Sequence, residues 1–262
     1  MSKIKETIEK VNKRDEKTLT VFLTSGFPNP KNFVEMALNI VDAGADLLEI
    51  GLPFGDSLAD GPVIQSSYAS ALANNINLQK TFDYISNIRI KSDVPIILMG
   101  ASNPILKYGK SNFVKNAIEA GVNGVIIPDV PLEEYDEFFE NKFIGLDTII
   151  LTTPTSSIKR IKEIDSKSSG FLYCVSVIGT TGSRNKFDQS VLDNLMRTYN
   201  NLEKNKMQIG FGISSPDSIK QFFSYCDGVI VGSAIINSLS NDDSDFLNTV
   251  QLVKELKSAC KD

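Results

Sequence analysis

The chain has 262 residues, 42% of them hydrophobic, with a formal net charge of -5, 3 cysteines and no histidine. No apolar run approaches the roughly 20 residues that span a bilayer, and the acidic balance argues against a nucleic-acid groove, which needs concentrated Lys and Arg. Without histidine there is no Ser-His-Asp triad, no Cys-His pair and no His-built metal site, so proton transfer falls to carboxylates, lysine, tyrosine or cysteine.

The charged start, Met1-Ser2-Lys3-Ile4-Lys5-Glu6, lacks the apolar stretch of a secretory signal. Export is not expected, and the chain is read as cytoplasmic. Ile4, Ile8 and Val11 at helical spacing predict an extra helix within residues 1–16, capping one end of the molecule. Short β-rich apolar runs follow at Leu19–Thr24, Leu47–Gly51, Pro95–Met99, Gly124–Ile127, Thr148–Leu151, Phe171–Val175, Met207–Gly210 and Gly228–Val231. Amphipathic helix patterns lie between them, at Asn32–Val41, Leu78–Ile90, Ser111–Ala120, Glu133–Phe143, Ser157–Ser166, Val191–Leu202 and Pro216–Tyr225, with a last one at Asp245–Lys257. Eight strand–helix units without a composition break predict an α/β fold, a single (β/α)₈ TIM barrel spanning residues 1–262. Gly44 and Gly121 stand where helices end in a left-handed turn. Cys174, Cys226 and Cys260 lie far apart, with no CxxC spacing, so neither a disulfide framework nor a metal site is expected.

A barrel of this kind places its chemistry on the loops after the strands, and the two longer ones, 52–62 and 177–188, are read as active-site loops. Leu48-Glu49-Ile50-Gly51 puts a carboxylate in an apolar strand: Leu47, Glu49 and Gly51 share one face, Leu48 and Ile50 the other, so no solvated face accounts for Glu49. Burial would raise its pKa toward the range of an acid–base catalyst; a structural glutamate bonded to hydroxyls is the alternative. Asp60, in Ala59-Asp60-Gly61-Pro62, reads as a second acid or as a turn aspartate. Asp129 and Glu133-Glu134 are read as turn and helix-start residues. Tyr173 is placed in the core with its hydroxyl near the mouth. Lys107 and Lys159 lie away from strand ends, which disfavours a Schiff-base lysine. Glycine turns at Gly179–Ser183, Gly210–Ser214 and Val231–Ala234 follow the last three strands, and together they suit a phosphate held by backbone N–H groups and a helix start.

These motifs, together with Asn103-Pro104, Pro128-Asp129-Val130-Pro131 and Val63-Ile64-Gln65, occur in order along nearly the whole chain. In them the chain resembles the tryptophan synthase alpha subunits. The resemblance implies a carbon–carbon lyase of tryptophan biosynthesis, which cleaves indole-3-glycerol phosphate in a retro-aldol reaction to indole and glyceraldehyde 3-phosphate. It implies Glu49 as general acid/base and Asp60 as the partner that stabilises charge on the indole ring. It implies that Thr181 closes against Asp60, that Gly182, Gly212, Gly232 and Ser233 hold the phosphate, and that Phe22, Ile64, Tyr173 and Phe211 line the indole pocket. No cofactor or metal is implied for this chain. The implied partner is a beta subunit carrying pyridoxal phosphate, in an α₂β₂ heterotetramer. Two departures stand out: Ala101 occupies the place of an expected aromatic, and Ser57 stands in a Gly55-Asp56-Ser57 stretch where the usual proline is missing. Phosphoribosylanthranilate isomerase and indole-glycerol phosphate synthase need different strand-end acids or a lysine, absent here. A free-standing indole-3-glycerol phosphate lyase and a non-catalytic, phosphate-sensing regulatory partner of a beta subunit remain as alternatives.

Overall fold

A computed structural model describes residues 2–57, 60–139, 142–176, 188–210, 212–243 and 245–261. Helix α1 (Lys3–Asn12) precedes β1 (Thr18–Thr24), α2 (Phe33–Asp42), β2 (Leu47–Gly51), α3 (Pro62–Ala73), α4 (Leu78–Lys91), β3 (Ile96–Met99), α5 (Ser102–Tyr108), α6 (Lys110–Ala120) and β4 (Gly124–Ile126). A 3₁₀ turn at Leu132–Glu134 leads into α7 (Tyr135–Phe139), followed by β5 (Asp147–Ile149), β6 (Leu151–Thr152), α8 (Ile158–Lys167) and β7 (Leu172–Val175). The remaining elements are α9 (Gln189–Tyr199), β8 (Met207–Gly210), α10 (Pro216–Phe222), β9 (Gly228–Val231), α11 (Ser233–Ser240) and α12 (Leu247–Ala259).

All strand pairs are parallel, in the order β5-β4-β3-β2-β1-β9-β8-β7-β6. Because β5 and β6 are consecutive and separated only by Ile150, the order runs round a barrel: the segment 147–152 pairs with β4 by its first half and with β7 by its second. The predicted strand at Thr148–Leu151 is therefore interrupted. At the break, Ile150 N–H donates to the Ser168 hydroxyl at 3.1 Å and its carbonyl accepts from Tyr173 N–H at 3.2 Å. Apolar strands wrapped by helices bury both faces, and all seven residues of β1 and all five of β2 are buried.

Helix α1 closes the amino-end of the barrel. Ser2 caps it, accepting from Lys5 N–H at 3.1 Å, and Ile4, Ile8 and Val11 face inward. Asn12 donates to the Asp227 carbonyl, just ahead of β9, at 2.8 Å. The helix read at Glu133–Phe143 is shorter than its pattern, a 3₁₀ turn plus the single α-turn of α7, and Tyr135 and Phe139 pack with Phe138 and Phe143 as an aromatic cluster. Gly121 ends α6 at φ +95°, as its position predicts.

Three helices have no counterpart in the sequence reading: α3, α5 and α11. Each starts on a signature segment at the carboxyl-end mouth. Pro62 opens α3 at its first position, where the missing N–H costs nothing. Asp129 holds α5 by accepting from Ser102 N–H at 2.9 Å and from its hydroxyl at 2.8 Å. Asp129 thus ties the loop after β4 to the helix after β3. No described helix is long and apolar enough to cross a membrane.

Candidate active site

The register of the sheet brings the first acid to the mouth. Phe22 of β1 pairs with Glu49 of β2, which pairs with Ile97 of β3. Glu49 is 1% exposed, and its Oε2 has no hydrogen-bond partner, so the structural alternative, a glutamate satisfied by hydroxyls, is not what the geometry shows. Asp60, at the end of the β2 loop and two residues ahead of α3, is also buried. Both line one cavity at the carboxyl-ends of the strands, with Phe22, Ile64 and Tyr173 on its apolar walls.

Burial pushes the Glu49 carboxyl up to about 8, and the neighbouring Asp60 charge adds to the rise. Burial alone pushes Asp60 up to about 6. Two acids with such separated values divide the labour at neutral pH, one holding a proton and the other ionised.

The same cavity is also lined by Gly212, Gly232 and Ser233. Gly212 has φ +81°, which a residue with a Cβ adopts only under strain. Ser233 opens α11, and its buried hydroxyl has no partner. The first-turn N–H groups of α11 have no intrahelical acceptors, so this corner is receptive to an anion. Gly210 serves a need that its turn did not suggest. A Cβ there would lie 2.1 Å from the Tyr173 hydroxyl, so the glycine makes room for the tyrosine ring in the mouth.

Of the residues singled out by sequence, the cavity gathers Glu49, Asp60, Phe22, Ile64, Tyr173, Gly212, Gly232 and Ser233. Thr181, Gly182 and Phe211 lie outside the described residues, as does most of the 177–188 loop. The cavity also takes in Ser214, from the predicted glycine turn, and Met99 and Asn237, which sequence reasoning missed. Asn237 follows Ser233 by one turn of α11, a signal that required recognising that helix. A second cavity adjoins the first, with Asp60 and Met99 as common wall, and Ala101 lines it together with Gly100, Leu52 and Tyr68. The cavity beside Ala101, the place of the expected aromatic, is thus also lined by a tyrosine from α3. Cys174, Cys226 and Cys260 are buried, their thiols pushed up to about 12 by burial.

A parallel barrel whose mouth joins two buried carboxyls of raised pKa to an anion-receptive helix start has the makings of a barrel enzyme working by acid–base chemistry on an anionic substrate. The sequence profile described as Tryptophan synthase alpha chain matches residues 8–262. The chain belongs to the tryptophan synthase alpha chain family and is a lyase of the alpha reaction in tryptophan biosynthesis. It is 40% identical over 268 residues to the tryptophan synthase alpha chain of Petrotoga mobilis, covering 100% of this chain and 98% of that protein. Among solved structures it superposes on tryptophan synthase subunit alpha from Legionella pneumophila with a TM-score of 0.88 at 32% identity, covering 99% and 98% of the two chains. It superposes on Mycobacterium tuberculosis tryptophan synthase with a TM-score of 0.89 at 28% identity, covering 99% and 98%.

Proposed function

We propose that Glu49 and Asp60 carry the alpha reaction, the retro-aldol cleavage of indole-3-glycerol phosphate. The observation that carries this reading is a buried, unpartnered Glu49 carboxyl sharing one cavity with Asp60 and with the unpartnered Ser233 hydroxyl.

Protonated Glu49 delivers its proton to indole C3, leaving positive charge on the ring. Ionised Asp60 faces the ring N–H and stabilises that charge in a site poor in water. The Glu49 carboxylate then takes the proton from the hydroxyl on the adjacent glycerol carbon. The O–H electrons form the aldehyde C=O, the carbon–carbon bond breaks, and its electron pair returns to the ring as neutral indole. Glu49 ends protonated, ready for the next turnover.

Gly212, Gly232 and Ser233 hold the phosphate, joined by Gly182, while Phe22, Ile64, Tyr173 and Phe211 sandwich the indole. Thr181 closes the 177–188 loop against Asp60. No step needs a cofactor in this chain. Residues 1–262 act as one domain, in the cytoplasm, with a beta subunit that carries pyridoxal phosphate in an α₂β₂ heterotetramer. The loop around Asp56 and Ser57 lies at the mouth beside the second cavity and supplies part of the docking surface.

An indole-release assay on the purified chain, alone and then titrated with beta subunit, tests the whole reading. Release from the chain alone, accelerated on adding the partner, is expected. Rates indifferent to the partner point instead to a free-standing lyase, and no release in either condition points to a regulatory chain.

A further inference from the structure

Helix α3 begins two residues after Asp60 and carries Ile64 and Tyr68 one turn apart on its inner face. Tyr68 is 3% exposed. Its ring shares with Asp60, Met99 and Ala101 the cavity that adjoins the mouth, and neither Gly100 nor Ala101 offers bulk at that wall. The hydroxyl end is fixed by a close approach: a Cβ on Gly51 would lie 2.7 Å from it. Gly51 follows Glu49 by two residues on the same face of β2. The phenol is thereby wedged beside the strand that bears one acid while sharing a cavity wall with the other.

The phenol is also kept neutral. Burial first, then the charges of Asp60 and Glu49, push its ionisation well above the usual tyrosine range, so it is an O–H donor at every working pH. Tyr173 has the reverse order of neighbours, with the Glu49 charge acting more strongly on it than that of Asp60.

We propose that Tyr68 is a positioning residue of the alpha reaction, whose hydroxyl donates a hydrogen bond to the Asp60 carboxylate when substrate fills the mouth, keeping that acid ionised and aimed at the ring. This rests on the acid-pair reading above. A hydrogen bond to the charged form favours ionisation, so Tyr68 holds Asp60 lower than burial alone would leave it. Glu49, whose Oε2 has no hydrogen-bond partner, keeps its proton.

The test is Tyr68→Phe in the full-length chain, which retains the ring and its packing, read as the pH profile of indole release. Loss of one hydrogen bond to a charged group is expected to lower kcat at pH 7 by about tenfold and to move the acid limb of the profile up by about one pH unit, with KM within about threefold. In an Asp60→Asn background, Tyr68→Phe is expected to add nothing further. An acid limb in Tyr68→Phe that coincides with the parent's overturns the proposal, because a residue that merely fills space moves stability without moving that limb. Ordinary turnover by Asp60→Asn alone overturns the acid-pair reading itself. Those two failures are distinguishable.

Discussion

Thr20 of β1 and Gln208 of β8 are joined across the interior of the barrel, the threonine hydroxyl donating to the Gln208 Oε1 at 2.6 Å. Both are fully buried, and they reach over β9, where Gly228 stands opposite Gln208 and Thr18. The Gln208 Nε2 has no partner, so this tie is the amide's anchor below the layer that holds Glu49. Thr20→Val leaves both ends of a buried amide unsatisfied and is expected to cost about 1–3 kcal/mol. Urea unfolding read against wild type checks it, and KM for the substrate should stay within about twofold.

Asp165 in α8 is a second polar hub. Its carboxylate accepts from Glu203 N–H at 2.8 Å, Lys204 N–H at 2.9 Å and Asn205 N–H at 3.0 Å, fixing the loop that enters β8. Asp165→Ala strands three backbone donors, and a loss on the order of 3 kcal/mol is expected, since bonds to a charged acceptor are worth more than neutral ones. A thermal melt of the variant showing a Tm unchanged from wild type would refute this role.

The acid pair makes stability depend on pH in a definite direction. Burial raises Glu49 from 4.5 to about 8. Between those values the folded chain holds a proton that the unfolded chain has lost, so stability falls as pH rises through this window and the penalty is complete above about 8. Glu49→Gln removes the penalty. The variant should therefore be more stable than wild type at pH 9, by on the order of a few kcal/mol, and nearly equal to it at pH 5. Denaturant midpoints at the two pH values decide it.

That same variant is expected to release no measurable indole while keeping its affinity for a phosphorylated substrate analogue within a few fold, because the glutamine neither gives nor takes the proton. Isothermal titration with the analogue beside the release assay separates the two effects. In the parent chain, kcat/KM should rise as Asp60 loses its proton near 6 and fall as Glu49 loses its own near 8, giving a bell whose two limbs belong to the coupled pair.

All eight barrel strands could be read from the sequence, because short apolar β-rich runs bounded by glycine and polar turns have few other uses. Glu49 was legible for the same reason: in a strand apolar on both faces, a lone carboxylate has no solvated side to occupy. Helices α3, α5 and α11 were not, since each begins inside a signature segment whose residues already looked committed to a loop. With α3 unread, Tyr68 had no element assigned to it, although its spacing from Ile64 is one helical turn. Met99 and Asn237 reach the mouth from neighbouring strands and helices, an adjacency that exists only once the barrel closes. A further purpose of Gly210 went unread in the same way: clearance for a ring on the neighbouring strand leaves no trace in local sequence.

The interruption at Ile150 gives the wall two settings. Asp147–Ile149 keep step with β4 and Leu151–Thr152 keep step with β7, so a single residue absorbs the mismatch that arises when a staggered ring meets its own beginning. Held there by a serine hydroxyl and one amide instead of a full ladder, the seam is the natural place for the ring to loosen first. Strand β2, which bears Glu49, is instead held by unbroken ladders on both sides, three positions round the ring from that seam.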